Sequence, residues 1–147
     1  MKNYLFLFVT SCFLIIISTA FAQEKAALIK TATGNVNIQR GEKVLTANQG
    51  SDLLTEDILL TGDKSYAGLI FTDGTRFTLG PNSQFQLNQY RFEPKNQAYA
   101  FSMYLEKGSG LYNSGKISKL APQAVKLSTP KATVGIRGTR FIINVEN

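Results

Sequence analysis

The sequence has no histidine and no tryptophan, and its single cysteine, Cys12, lies close to the N-terminus. Without histidine there is no Ser-His-Asp triad, no HExxH zinc site and no imidazole proton shuttle, so the commonest general base and metal ligand are missing. A hydrolase or a zinc enzyme is therefore not expected, and no catalytic, metal-binding or cofactor-binding residue is assigned. Long helical patterning is missing too: no run of ten or more residues keeps apolar groups at i, i+3, i+4 and i+7. There is no internal repeat and no low-complexity segment. What is present is a chain of 147 residues, 44% hydrophobic and 18% charged, which suits one domain with one core and is too apolar for disorder.

The first 22 residues read as a secretory signal peptide. Lys2 precedes an apolar run from Tyr4 to Ile17, shorter than the roughly 18 to 20 residues that span a bilayer. Ala20 and Ala22 then form an A-x-A cleavage site, so Gln23 is expected to start the mature chain. An uncleaved anchor or lipidation at Cys12 are rival readings, but cutting before Cys12 leaves Phe13 to Ile17 unexplained. Cleavage after Ala22 leaves 125 residues with no cysteine, so neither a disulfide nor thiol chemistry is expected in a periplasmic or secreted product. No stable membrane anchor then remains.

Charge is unevenly placed. Residues 23–94 carry seven basic and eight acidic side chains, whereas residues 95–147 carry eight basic and two acidic. A C-terminal third at +6 favours an anionic partner, and in an exported protein that means an envelope polymer, a lipid head group or an acidic protein surface rather than nucleic acid.

Period-2 alternation recurs between glycine-bearing breaks, which predicts an all-β domain over 23–147. Val36 and Ile38 alternate, and Val44-Leu45 and Leu53-Leu54 flank Gly50. Ala67, Leu69 and Phe71 share a face, Asp73-Gly74 signals a two-residue hairpin turn, and Phe77 and Leu79 return. Phe85 with Leu87, Tyr99 to Leu105, and Phe141 to Val145 complete the pattern. Half-apolar faces need a second layer, so the expected architecture is a compact two-layer sandwich or a rolled β-sheet of short, mostly antiparallel strands. Lys116 to Leu127 reads as a loop with at most one helical turn, since Pro122 interrupts it. Val134 and Ile136 are expected to point the same way across Gly135, with a bulge or turn at Gly138.

Three constellations fall short of chemistry. Gly110 to Ile117 copies the glycine and lysine spacing of a P-loop, but Ile117 stands where a hydroxyl must hold magnesium, and Gly108 to Gly115 reads as a turn-rich connector. Asp52, Glu56 and Asp57 lack the spacing of a calcium loop and read as solvated acids. The phenylalanines fall on core faces, while Tyr66, Tyr90, Tyr104 and Tyr112 could line a binding face.

The segment Ser128-Thr129-Pro130-Lys131-Ala132-Thr133-Val134-Gly135-Ile136-Arg137-Gly138-Thr139-Arg140-Phe141 resembles the signature of FecR domains, the periplasmic part of FecR-type iron-signalling regulators. Upstream, Gly34-Asn35-Val36, Gly50-Ser51-Asp52-Leu53, Asp57 to Gly62, Ser65-Tyr66-Ala67, Phe71 to Thr75 and Leu79 to Ser83 are similar to the family's opening strands. The resemblance makes Thr129, Pro130, Ala132, Gly135, Arg137, Gly138 and Thr139 the candidate interaction residues. It implies a non-catalytic interaction or sensing module with an envelope protein partner; an envelope-polymer or carbohydrate-binding module is the alternative. Full-length relatives add a cytoplasmic anti-sigma segment and a transmembrane helix, in place of which this chain has the signal peptide. Many relatives carry a further hairpin where this sequence stops at Asn147, so the domain closes differently or the sequence is truncated. Arg137 has two readings, anion binding or bracing of the Gly138 turn through a carboxylate such as Asp73, and the adjacent glycines favour bracing.

Overall fold

The computed structural model describes residues 24–138 and 140–146. The expected leader over 1–22 and the family position Thr139 lie outside them. Strand outweighs helix by 61% to 9%, in one curled, mainly antiparallel sheet shaped as a half-barrel, so the all-β expectation holds in its rolled form.

In chain order the strands are β1 (Lys25–Thr33), β2 (Val36–Arg40), β3 (Lys43–Thr46), β4 (Asp52–Leu54), β5 (Ile58–Thr61), β6 (Tyr66–Phe71), β7 (Arg76–Leu79), β8 (Gln84–Glu93) and β9 (Ala98–Asn113). A five-residue helix α1 (Lys116–Leu120) follows, then β10 (Val125–Ser128), β11 (Thr133–Gly135) and β12 (Arg140–Val145). The alternating residues earn their places: Leu59, Leu69, Phe71, Phe77, Leu79, Phe85, Leu87, Phe101, Met103 and Leu105 all face one core. Each large side chain buried there contributes roughly 1.5 to 3 kcal/mol. The Phe71 ring packs 4.6 Å from Phe101 and 5.3 Å from Tyr90, centroid to centroid.

The strand β9 organises the sheet. It runs antiparallel to β8 over residues 98–107 and to β7 over residues 110–113, and it also takes β10, parallel, at 101–104 and β12, antiparallel, at 108–113. At sixteen residues it is the long exception in a sheet of mostly short strands, and it absorbs most of the supposed connector at Gly108 to Gly115. Glycine reads as a turn signal, but at Gly110 a Cβ would come 2.5 Å from Phe77 Cζ, so the missing side chain makes room for a ring within a continuous strand. The stretch Lys116 to Leu127, expected as a loop with at most one helical turn, holds α1, a 3₁₀ turn at Pro122–Ala124 and the start of β10, whose Val125 and Leu127 are buried.

Arg40 and Asp57 tie two distant strands of the curl together. Arg40 Nε and Nη2 donate to the two carboxylate oxygens of Asp57 at 2.9 and 2.7 Å, Nη2 also reaches the Asp52 carbonyl, and Leu54 N donates to Asp57. This joins β2 to β4, which lie far apart along the sheet path. Asp57 is fully buried, which corrects its reading as a solvated acid, and its hydrogen bonds hold the Arg40 guanidinium above the ordinary arginine range. The pair Val44 and Leu45 forms β3 as expected but faces solvent, 64% and 41% exposed, on an edge strand.

Candidate functional site

The signature segment divides into a turn and a cleft. Thr129 to Ala132 closes the β10–β11 hairpin: Thr129 N donates to the Ala132 carbonyl at 2.7 Å, and Thr129 Oγ1 accepts from Lys131 N and Ala132 N. Pro130 needs no N–H at the tip of such a turn, and its fixed φ suits the position after Thr129. Thr129, Pro130 and Ala132 therefore have a conformational role that the residues themselves explain.

Gly135, Arg137 and Gly138 behave differently, since all three are exposed and line a cavity of about 280 Å³ with Val134, Arg140 and Phe141. A Cβ added at Gly135 or Gly138 would meet nothing within 4 Å, so these glycines do not mark tight packing. Ile136 between them is 3% exposed and its N–H reaches the Val125 carbonyl, whereas Val134 is 43% exposed. The expectation that Val134 and Ile136 point the same way across Gly135 fails, since β11 ends at Gly135 and only Ile136 is buried.

Bracing of the turn by Arg137 through Asp73 is also overturned. Asp73 is 1% exposed, and its carboxylate is already engaged: Oδ1 accepts from Thr75 N (3.0 Å) and Tyr90 OH (3.2 Å), and Oδ2 from Thr75 Oγ1 (2.8 Å) and Ile117 N (3.1 Å). Its backbone N–H donates to Tyr90 OH and its carbonyl accepts from Lys116 N. Asp73 thus ties the β6–β7 turn to β8 and to the start of α1. The turn itself is a three-residue loop and not the expected two-residue one: Phe71 pairs with Thr75, Gly74 N reaches the Phe71 carbonyl, and Gly74 takes φ +87°, the bulged form that glycine favours. Asp-Gly-Thr carried the signal for an Asx-type turn, but nothing local pointed to Tyr90 or Ile117.

Burial corrects the tyrosine reading. Tyr90 is 5% exposed and Tyr112 fully buried, leaving Tyr66, half exposed, and the partly buried Tyr104 as surface rings. Desolvation is the main cause that raises the phenol pKa values of Tyr90 and Tyr112, opposed by hydrogen bonds from Thr72 and Ser118. Among the described residues, no three acidic side chains gather where they could hold a metal ion.

The model of the FecR protein family matches residues 57–147, well over half of the chain. The chain belongs to the FecR family. The FecR match runs from the residue that pairs with Arg40 through β12, so it takes in the Asp73 network, the β10–β11 turn and the cleft, while Gly34 to Leu53 lie upstream of it. No curated protein and no solved structure matches the chain.

Proposed function

We propose that this FecR-family chain is an exported, non-catalytic interaction or sensing module at the cell envelope, acting without an anti-sigma segment. The observation that carries this reading is the exposure of Gly135, Arg137 and Gly138 around an open cleft, where the FecR signature presents charge to solvent instead of packing inward. Guanidinium groups in such a setting suit carboxylates on a partner. Export rests on the leader read over 1–22, with cleavage after Ala22 giving a periplasmic or secreted product. No helix among the described residues is long and apolar enough to cross a membrane.

The alternative, an envelope-polymer or carbohydrate-binding module, keeps the basic C-terminal third but loses Tyr90 and Tyr112 as stacking platforms. A photo-reactive residue placed in turn at Ile142, Val44 and Tyr66, all exposed, separates the two in cells. A discrete protein adduct supports the module. Adducts at none of the three, with polysaccharide retention that is lost at high salt, support the polymer reading. Mass measurement of the exported chain, expected to begin at Gln23, tests localisation.

A further inference from the structure

Two cavities lie along β12. One, of about 270 Å³, runs between Lys131, Ala132 and Val134 on the β11 side and Ile143 to Glu146 on the other. The second, of about 280 Å³, continues past Val134 to Arg137, Arg140 and Phe141. Val134 lines both, so together they form a trough between the β10–β11 hairpin and β12.

The strand β12 pairs with β9 and, among the described residues, with no other strand. The backbone groups that alternate residues of β12 direct to its second edge therefore have no strand partner among the described residues. Natural edges are usually blunted by proline, a charge or a bulge; in β12 the one charge is Arg140 at its start, the five residues that follow carry neither proline nor charge, and Ile142 is 70% exposed. An apolar edge beside an open trough has the form of a slot for an added strand.

Charge names the occupant. From Lys107 to Val145 the chain has seven cations and no acid. Lys131, Arg137 and Arg140 of the trough are exposed, and the ion pairs among the described residues, Lys25–Asp52, Arg40–Asp57 and Arg91–Glu93, involve none of them. We propose that the trough receives an extended acidic segment of a partner protein, which adds as a strand to the free edge of β12. A second copy of this chain, with its β12 paired antiparallel, would offer one acid, Glu146, to the Arg140 end and bring a further Arg140 with it, so it matches the three trough cations less well than an acidic segment does. Glu146 at the far end gives the slot polarity, so the occupant's acids belong at the Arg140 end.

The proposal rests on the reading of the chain as a protein-binding module, and the adducts described above keep the two apart: an adduct from Val44 with none from Ile142 removes the strand slot and leaves the module. The direct test selects from a phage-displayed library of random dodecapeptides on the mature chain, followed by hydrogen exchange of the bound complex. The expected result is enrichment of Asp and Glu alternating with Val, Ile and Thr, with slowed exchange in β12. Arg137→Glu with Arg140→Glu should weaken the selected peptide by about tenfold or more, and Ile142→Lys, an exposed edge position, should weaken it independently. Four results overturn the proposal: no enrichment, enrichment without acids, protection at β3 in place of β12, or β12 protection in peptide-free protein that sediments as a dimer.

Discussion

Asp73 is a buried carboxylate held by neutral donors, and it shows what a single residue does in this fold. Four donors converge on its two oxygens. Asparagine at this site keeps the size but turns an NH₂ toward donors, so Asp73→Asn should cost about 2 to 3 kcal/mol in urea unfolding. Tyr90 gives a pH prediction. Its folded pKa is raised above the ordinary value of 10.0, so the unfolded chain loses this proton first, and stability is complete below pH 10 and falls as pH rises beyond it. Tyr112 is raised in the same direction and adds to the fall. Tyr90→Phe should lower stability at neutral pH by losing its bonds to Thr72 and Asp73, yet show a shallower alkaline decline, as measured by denaturation across that range. The turn at Asp73-Gly74 was legible because turn chemistry is local. Its bonds to Tyr90 and Ile117 span 17 and 44 residues, and only the strand register brings those groups together.

Strands were legible where side chains alternate and obscure where glycine replaces them. The runs around Phe71, Phe77 and Phe85 announced β6, β7 and β8, since each second residue enters the core. Gly108 and Gly110 hid the continuation of β9, because a left-handed residue packed on Ser83 and space for the Phe77 ring leave the same mark in a sequence as a turn. The two kinds of glycine separate by substitution. Gly110→Ala overpacks against Phe77 and should cost about 1 to 3 kcal/mol. Gly135→Ala meets open space at a φ outside the left-handed region, so its thermal midpoint should stay unchanged or rise slightly. The signature glycine of β11, Gly135, then belongs to the cleft and not to packing.

Across the whole molecule, the Arg40–Asp57 contacts tie β2 to β4 and one stretch carries the excess charge. Arg40→Met leaves the fully buried Asp57 carboxylate without its guanidinium and should cost about 2 to 4 kcal/mol, read as a lower urea midpoint. That pair was illegible in the sequence, where Asp57 sits between turn residues and Arg40 lies 17 positions away. The basic C-terminal third, by contrast, was legible from composition, and the structure adds that Lys131, Arg137 and Arg140 are exposed and line the trough beside β12. On the proposed reading, the signature arginine Arg137 serves a partner and not the fold. The most direct measurement of this claim is Arg137→Glu read twice, as thermal midpoint and as yield of the protein adduct from a photo-reactive residue at Ile142. Exposed substitutions usually stay within about 0.5 kcal/mol, so the midpoint should hold while the adduct falls by about tenfold. A midpoint lowered by several degrees with the adduct retained would contradict the claim and return Arg137 to a bracing role.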